Sequence, residues 1–217
     1  MALDPSGAAS CPAGALPSDD HALSAEYAGD GNYLAASGAG LHTVRRALTD
    51  TSLAVSAVTA AFGEPVTLTA TVTPVAPGAG APVGVMEFFD GATSLGLDLL
   101  DPAGVATLTL GTLAVGDHAL SAAYAGDLSF EGSLSADTAS LSISLADTEI
   151  LVSSSALPSV VGQAVSLAFQ VVPVAPAGGL PSGDLTVSVD GAAALTIPLV
   201  DGAAALDLPG LTAGAHH

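Results

Sequence analysis

Short runs that alternate apolar and polar residues follow one another along the chain, separated by Gly, Pro and Asp. In the clearest run, Val66, Leu68, Ala70 and Val72 alternate with four threonines. A period of two with Thr on one side is typical of an antiparallel strand that has one buried and one wet face. The pattern therefore predicts β-structure rather than helix for this segment.

Further runs repeat this period, and no window has the period of a helix. They comprise the opening run 51–55, the pair Met86 and Phe88, the set Val105, Leu108 and Leu110, the set Leu120, Ala122 and Tyr124, and the set Ala139, Leu141, Ile143 and Leu145. Asp90-Gly91 and Gly126-Asp127 mark tight turns. The short strands at turn spacing predict an all-β Greek-key sandwich.

Internal repetition sets the domain organisation. Residues 20–30 and 117–127 differ at one position and lie 97 positions apart, and residues 63–77 match 162–176 at a spacing of 99. The repeat is thus about the size of one sandwich domain. We predict the C-terminal half of a repeat over 1–48 (about strands E–G), a complete repeat over 49–145, and a repeat over 146–217 that stops before strands F and G.

The motifs of the complete repeat resemble a known family. Residues 82–91 read P-x-G-x-x-x-F-x-D-G, and they are followed by GVATLTLGTLAVGDHALSAAYAGD at 104–127 and a Ser-rich strand at 133–145. This combination resembles the bacterial Ig-like domain repeats, and the resemblance extends from Leu3 to His216. The third repeat departs from it, with Val187 in place of Phe88 and one extra residue before Asp190.

The resemblance implies tandem immunoglobulin-like sandwiches and a function without catalysis. Members occur in large secreted or surface-attached proteins, so we expect an extracellular or cell-surface spacer or stalk segment that contributes to adhesion. The family has no shared catalytic residues. A virion decoration protein or a ligand-binding module is an alternative role for such domains, and the ligand is unknown.

Charge removes several classes of function. Two arginines and no lysine stand against 21 acidic residues, giving a net charge of −19. Nucleic-acid binding is excluded because two cations cannot neutralise a phosphate backbone, and an anionic membrane would repel the chain. The longest uncharged stretch, 150–183, is interrupted by prolines, so we expect no membrane insertion. The first ten residues lack the basic and apolar regions of a signal peptide.

The search for chemistry gives one weak candidate site. Acidic residues gather near the junction of the second and third repeats and are candidate calcium ligands: Asp117, Asp127, Glu131, Asp137, Asp147 and Glu149. Calcium needs six to eight oxygen ligands, and these residues have no EF-hand spacing. Nucleophile, metalloprotease and phosphate-loop motifs are absent, so we expect no enzyme and no required cofactor.

Histidine and cysteine are given structural interpretations. His21, His118 and His216 recur at the start of equivalent strands, so they lie in separate repeats and cannot share one metal. His216-His217 is either native sequence or the remnant of a purification tag. Cys11 aligns with the inward position Leu108, which predicts a buried thiol.

The aromatic residues are interpreted as packing residues. Tyr27 and Tyr124 occupy equivalent strand positions, which predicts a packed ring with a wet hydroxyl. Tyr33 and Phe130 are expected to staple the turn that follows each strand.

The incomplete terminal repeats leave two hypotheses open. The chain is a piece of a longer repeat protein, or the N-terminal half-repeat of one chain completes the C-terminal repeat of the next. The second arrangement is a head-to-tail contact that does not close readily and propagates a filament.

Overall fold

The computed structural model describes residues 2–12, 14 and 16–216, and in this part of the chain sixteen strands and no helix form. None of these residues belongs to a helix with the length and hydropathy of a membrane span. The strands are β1 (Asp19–Tyr27), β2 (Ala36–Val44), β3 (Thr49–Val55), β4 (Thr59–Ala61), β5 (Val66–Pro74), β6 (Val85–Asp90), β7 (Thr93–Leu99), β8 (Val105–Leu110), β9 (Gly116–Tyr124), β10 (Ser133–Leu134), β11 (Ala139–Ser144), β12 (Thr148–Ser154), β13 (Val165–Pro173), β14 (Gly183–Val187), β15 (Leu195–Leu199) and β16 (Ala203–Leu208).

The central repeat is an all-β sandwich, as its sequence predicts. Its strands form one sheet in the order β3-β5-β8 and another in the order β4-β11-β9-β6-β7, with β10 added to β9. In the C-terminal repeat the order β12-β13-β16 reproduces the first of these sheets, while β14-β15 reproduces only β6-β7 of the second. Among the described residues, no strand of the C-terminal repeat corresponds to β9 or β11.

The chain divides into two compact units, and the division passes through the central repeat. The first unit contains Met1–Ala54, Thr69–Leu108 and Leu120–Ala139, and the second contains Val55–Leu68, Thr109–Ala119 and Ser140–His217.

The core of the first unit follows the predicted alternation. Met86 and Phe88 on β6 lie opposite Tyr124 and Ala122 on β9 in an antiparallel register, and all four side chains are buried. β6 turns into β7 at Asp90–Thr93, where Gly91 has a φ of +55° that suits glycine in a two-residue hairpin turn. The predicted strands and the Asp90-Gly91 turn are confirmed.

The N-terminal segment of the first unit is a hairpin without a core. β1 and β2 pair from Asp19 with Val44 to Tyr27 with Ala36, and none of their residues is buried. Cys11 is exposed, so the prediction of a buried thiol is wrong. In the central repeat the equivalent strand β8 pairs with β5. The described residues around Cys11 form no strand, so its side chain is not held in a sheet.

The second unit has two regions of buried side chains. Ala60 on β4 pairs in parallel with Ile143 on β11, and both side chains are buried together with Leu68 and Leu141. The other region lies in the C-terminal repeat, where the buried residues are Val165, Phe169, Val171 and Leu185. β11 ends at Ser144, and Leu145 is 81% exposed. The strand therefore ends one residue before the end of the predicted alternation.

Candidate functional site

The turn after β9 is held by one carboxylate. Asp127 Oδ1 accepts hydrogen bonds from the N–H groups of Ser129 at 2.7 Å and Phe130 at 2.8 Å, and Oδ2 accepts one from Val83 N–H at 3.0 Å. Burial acts to raise the pKa of Asp127, but the three N–H donors outweigh it and lower the pKa below its usual value. Asp127 is therefore a structural cap.

Tyr124 completes this turn. Its ring is buried, and its hydroxyl donates to the Val83 carbonyl at 2.7 Å. Burial and the negative charge of Asp127 raise the pKa of Tyr124 to about 12. The packed ring was predicted, but the wet hydroxyl was wrong for Tyr124. Phe130 is buried as expected of a staple, whereas Tyr33 is 70% exposed and does not act as one.

The candidate calcium ligands do not converge. Glu131 forms an ion pair with Arg46 at 3.1 Å, and Asp127 is used in the turn. The other four candidates are exposed: Asp117, Asp137, Asp147 and Glu149. Among the residues that the structure describes, no three His, Cys, Asp or Glu side chains form a group able to hold a metal ion. Calcium binding stays a sequence prediction.

The three recurrent histidines make the same local contact. In each, Nε2–H donates to the backbone carbonyl four residues earlier: His21 to Pro17 at 2.8 Å, His118 to Ala114 at 2.9 Å and His216 to Thr212 at 2.9 Å. For His21 and His118 this contact fixes the turn that enters β1 and β9, whereas His216 lies in no described strand. His216 also pairs with Asp190, and this partner and the Thr212 carbonyl raise the pKa of His216. His217 lies outside the described residues.

The first junction, within the first unit, joins the hairpin to the central repeat through backbone hydrogen bonds. Ala47 N–H donates to the Ser129 carbonyl and Glu131 N–H donates to the Ala47 carbonyl, both at 2.8 Å. Val75 N–H donates to the Leu48 carbonyl, also at 2.8 Å. The segment between β2 and β3 is thus a docked part of the central repeat rather than a free linker.

The second junction, within the second unit, uses an equivalent bond. Val174 N–H donates to the Asp147 carbonyl at 2.8 Å, 99 positions after the bond between Val75 and Leu48. The loop that follows Val174 approaches the central repeat so closely that a Cβ on Gly63 would lie 2.2 Å from the Gly178 carbonyl oxygen. Sequence reasoning missed these contacts, although the repeated VAP triplets at 75–77 and 174–176 mark both loops.

The second and last strands of the central repeat are joined by a parallel ladder in the second unit. Thr59, Ala60 and Ala61 of β4 pair with Ser142, Ile143 and Ser144 of β11. Bonds from Ser142 N–H to the Val58 carbonyl at 3.0 Å and from Phe62 N–H to the Ser144 carbonyl at 2.9 Å extend the ladder at both ends. The last strand of the repeat is therefore held directly by a strand near its N-terminal end.

Residues 53–144, which span this ladder and the turn of Asp127, match the bacterial Ig-like domain family, group 3. The central repeat, which contains this match, is called the Ig-like domain. Among solved structures, the adhesin InvE of Yersinia pseudotuberculosis is similar at 16% identity, with a TM-score of 0.35. The alignment covers 72% of this chain and 50% of that chain, so it spans about half of the adhesin structure. No curated protein matches the chain.

Compared with the Ig-like domain, the C-terminal repeat is open along one side. A cavity of about 540 Å³ is lined from both of its sheets, by Phe169 on β13, Leu208 on β16 and Val187 on β14. In the Ig-like domain, strand β9 pairs with β6 in the same sheet and contributes the fully buried Leu120 and Ala122.

Proposed function

We propose that this chain is a non-catalytic, load-bearing spacer segment of a bacterial surface repeat protein. The parallel ladder between β4 and β11 carries the proposal. A spacer between a cell and its target is pulled through its two ends. In the Ig-like domain β4 follows the first strand, β3, after a short turn, and the chain leaves after β11. The bonds that resist this pull are the bonds of that ladder.

The direction of the ladder determines how it resists force. Because β4 and β11 run parallel, a pull on the N-terminal side of one and the C-terminal side of the other slides the strands past each other. The hydrogen bonds are then loaded together rather than one after another. Forced unfolding is governed by the unfolding rate, so a ladder loaded in this way gives high resistance without high equilibrium stability.

The remaining chemistry supports a passive role. Asp30 and Asp127 hold turns, Glu131 pairs with Arg46, and the recurrent histidines fix their own turns. The match to the bacterial Ig-like family supports an extracellular or cell-surface location.

Single-molecule pulling of the full chain between its ends tests this proposal. Unfolding of the Ig-like domain releases about 30 nm of chain, from its length and the reach of an extended residue. Phe62→Pro removes the N–H that donates to the Ser144 carbonyl, so the force of this event should fall clearly. Phe62→Ala keeps the N–H and serves as the matched control. Equal forces in the two variants would contradict the proposal.

A further inference from the structure

An apolar patch lies on the outer face of the sheet β4-β11-β9-β6-β7 of the Ig-like domain. It consists of Val85, Leu97, Leu99, Ala123 and Leu134. Leu97 pairs with Glu87 on β6, and Glu87 pairs in turn with Ala123 on β9. Ala123 pairs with Leu134 on β10, and in the next row Leu99 lies opposite Val85. Side chains paired in this way are neighbours on one face, so the patch is contiguous around Glu87.

The exposure of the apolar patch does not come from an absent strand. β6 has both of its neighbours, β7 and β9, in the sheet. Met86 and Phe88 on β6 are fully buried on the inner face, so Val85 and Glu87 point outward. Leu97, Leu99 and Leu134 are 62%, 68% and 71% exposed. These are the outward side chains of strands that are fully paired and packed on their other face.

The other repeats show that the fold does not need apolar side chains at these positions. In the C-terminal repeat the positions equivalent to those on β6 and β7, 99 residues later, hold Asp184, Thr196 and Pro198. Asp184 lies opposite Pro198, which is the register of the Ig-like domain. In the hairpin the positions equivalent to those on β9 and β10, 97 residues earlier, hold Glu26 and Ser37, which also pair. A contiguous apolar patch that folding does not require is typical of an interaction surface.

Glu87 determines which partner fits the apolar patch. It lies between Leu97 and Ala123, and its Oε1 accepts the hydroxyl of Ser94 at 2.7 Å. A partner that covers the patch also removes this carboxylate from water, and a carboxylate buried without a cation is strongly disfavoured. The residues of the patch are all apolar and supply no cation. The partner therefore has to bring a lysine or an arginine to Glu87.

A second copy of this chain does not meet that requirement. Two patches placed face to face would bring two Glu87 carboxylates together, and each chain carries a net charge of −19. The only lysine or arginine side chains of the sequence are Arg45 and Arg46, and Arg46 pairs with Glu131. Charge complementarity thus favours a different, basic polypeptide.

We propose that the apolar patch docks a polypeptide partner that presents a lysine or an arginine between apolar side chains. The row from β7 to β10 spans about 14 Å, since neighbouring strands lie about 4.8 Å apart. An extended segment with apolar residues at i and i+4 and a cation at i+2 covers nearly the same distance. The patch shares no residue with the ladder between β4 and β11, so this docking is independent of the load-bearing function.

NMR titration of the isotope-labelled full chain with a synthetic peptide tests the proposal. The peptide TLTKTLT, capped at both ends, places lysine between two leucines on one face, and TLTETLT is its matched control. We expect TLTKTLT to shift the amide resonances of Leu97 and Ala123 and to bind at least about fivefold more tightly than TLTETLT. Leu97→Thr introduces the residue of the C-terminal repeat and should weaken binding by at least about fivefold. Val58→Thr, at an apolar residue that is 72% exposed outside the patch, should leave binding unchanged.

Glu87→Gln separates the charge from the apolar contact. In this variant the affinities for the two peptides should lie within about twofold of each other. The proposal would be overturned by the absence of any shift at millimolar peptide, by equal binding of both peptides to the unaltered chain, or by equal effects of Leu97→Thr and Val58→Thr. Shifts spread evenly over acidic residues outside the patch would also overturn it. Self-association that shifts the same amides without peptide would assign the patch to a second copy instead.

Discussion

Replacing Gly63 by alanine should undock the loop of the C-terminal repeat from the Ig-like domain. The added Cβ would lie 2.2 Å from the Gly178 oxygen and 2.5 Å from the Gly178 nitrogen, whereas ordinary contact begins at 3.4 Å. The loop must therefore move by about 1.2 Å. These are backbone atoms, which cannot avoid the clash by a rotamer change.

The chain offers a matched control for backbone strain. Gly162 is the equivalent residue of the C-terminal repeat, and both glycines have a φ of +82°. Alanine in this conformation costs about 1–2 kcal/mol at either position. A Cβ on Gly162 meets nothing within 4 Å, so only Gly63→Ala adds the clash. Overpacking of this kind costs about 1–3 kcal/mol more.

Native-state hydrogen exchange at Val174 measures the effect, because its N–H donates to the Asp147 carbonyl across the junction. Gly63→Ala should accelerate this exchange by about tenfold or more, which corresponds to about 1.4 kcal/mol. Gly162→Ala should leave it unchanged. Equal acceleration in the two variants would refute the steric argument, since it would assign the whole effect to the backbone conformation.

Three further predictions concern the core and the titrating groups. Phe88→Ala should cost about 3–5 kcal/mol in chemical denaturation, and the half-exposed Phe89→Ala much less. The Tyr124 phenol should ionise near pH 12 in an absorbance titration. The free energy of unfolding should therefore fall between about pH 10 and 12, because the phenol of the unfolded chain ionises first. In Tyr124→Phe this pH-dependent fall should be absent. The raised pKa of His216 stabilises the folded chain below about pH 6.5. This contribution is lost as the pH rises through the pKa that His216 has in the folded chain. Asp190→Asn should lower that pKa in an NMR titration.

The regular strands and turns could be predicted because the information is local. The turn of Asp101 shows that a short local sequence is enough to form a turn. Asp101 Oδ1 accepts N–H groups from Ala103 and Val105, and Asp4 accepts the equivalent pair from Ser6 and Ala8. The turn of Asp4 forms although none of the described residues between it and β1 belongs to a strand.

Burial could not be predicted in the same way, because it depends on what covers a face. Cys11 aligns with the partly buried Leu108 and Tyr33 with the buried Phe130, yet both Cys11 and Tyr33 are exposed in the N-terminal segment. The Tyr124 hydroxyl was missed for a related reason. Its acceptor, the Val83 carbonyl, lies 41 residues away and is a backbone group that no side-chain pattern marks.

The direction in which the Ig-like domain resists force tests the account most directly. The full chain is pulled first through its ends and then, in a Cys11→Ser background, through cysteines at Val58 and Ser140. These residues stand at or just before the N-terminal ends of the paired segments of β4 and β11. The first geometry shears the ladder and the second unzips it. We predict a clearly higher unfolding force for the first. Equal forces, or a higher force on unzipping, would contradict a load-bearing spacer.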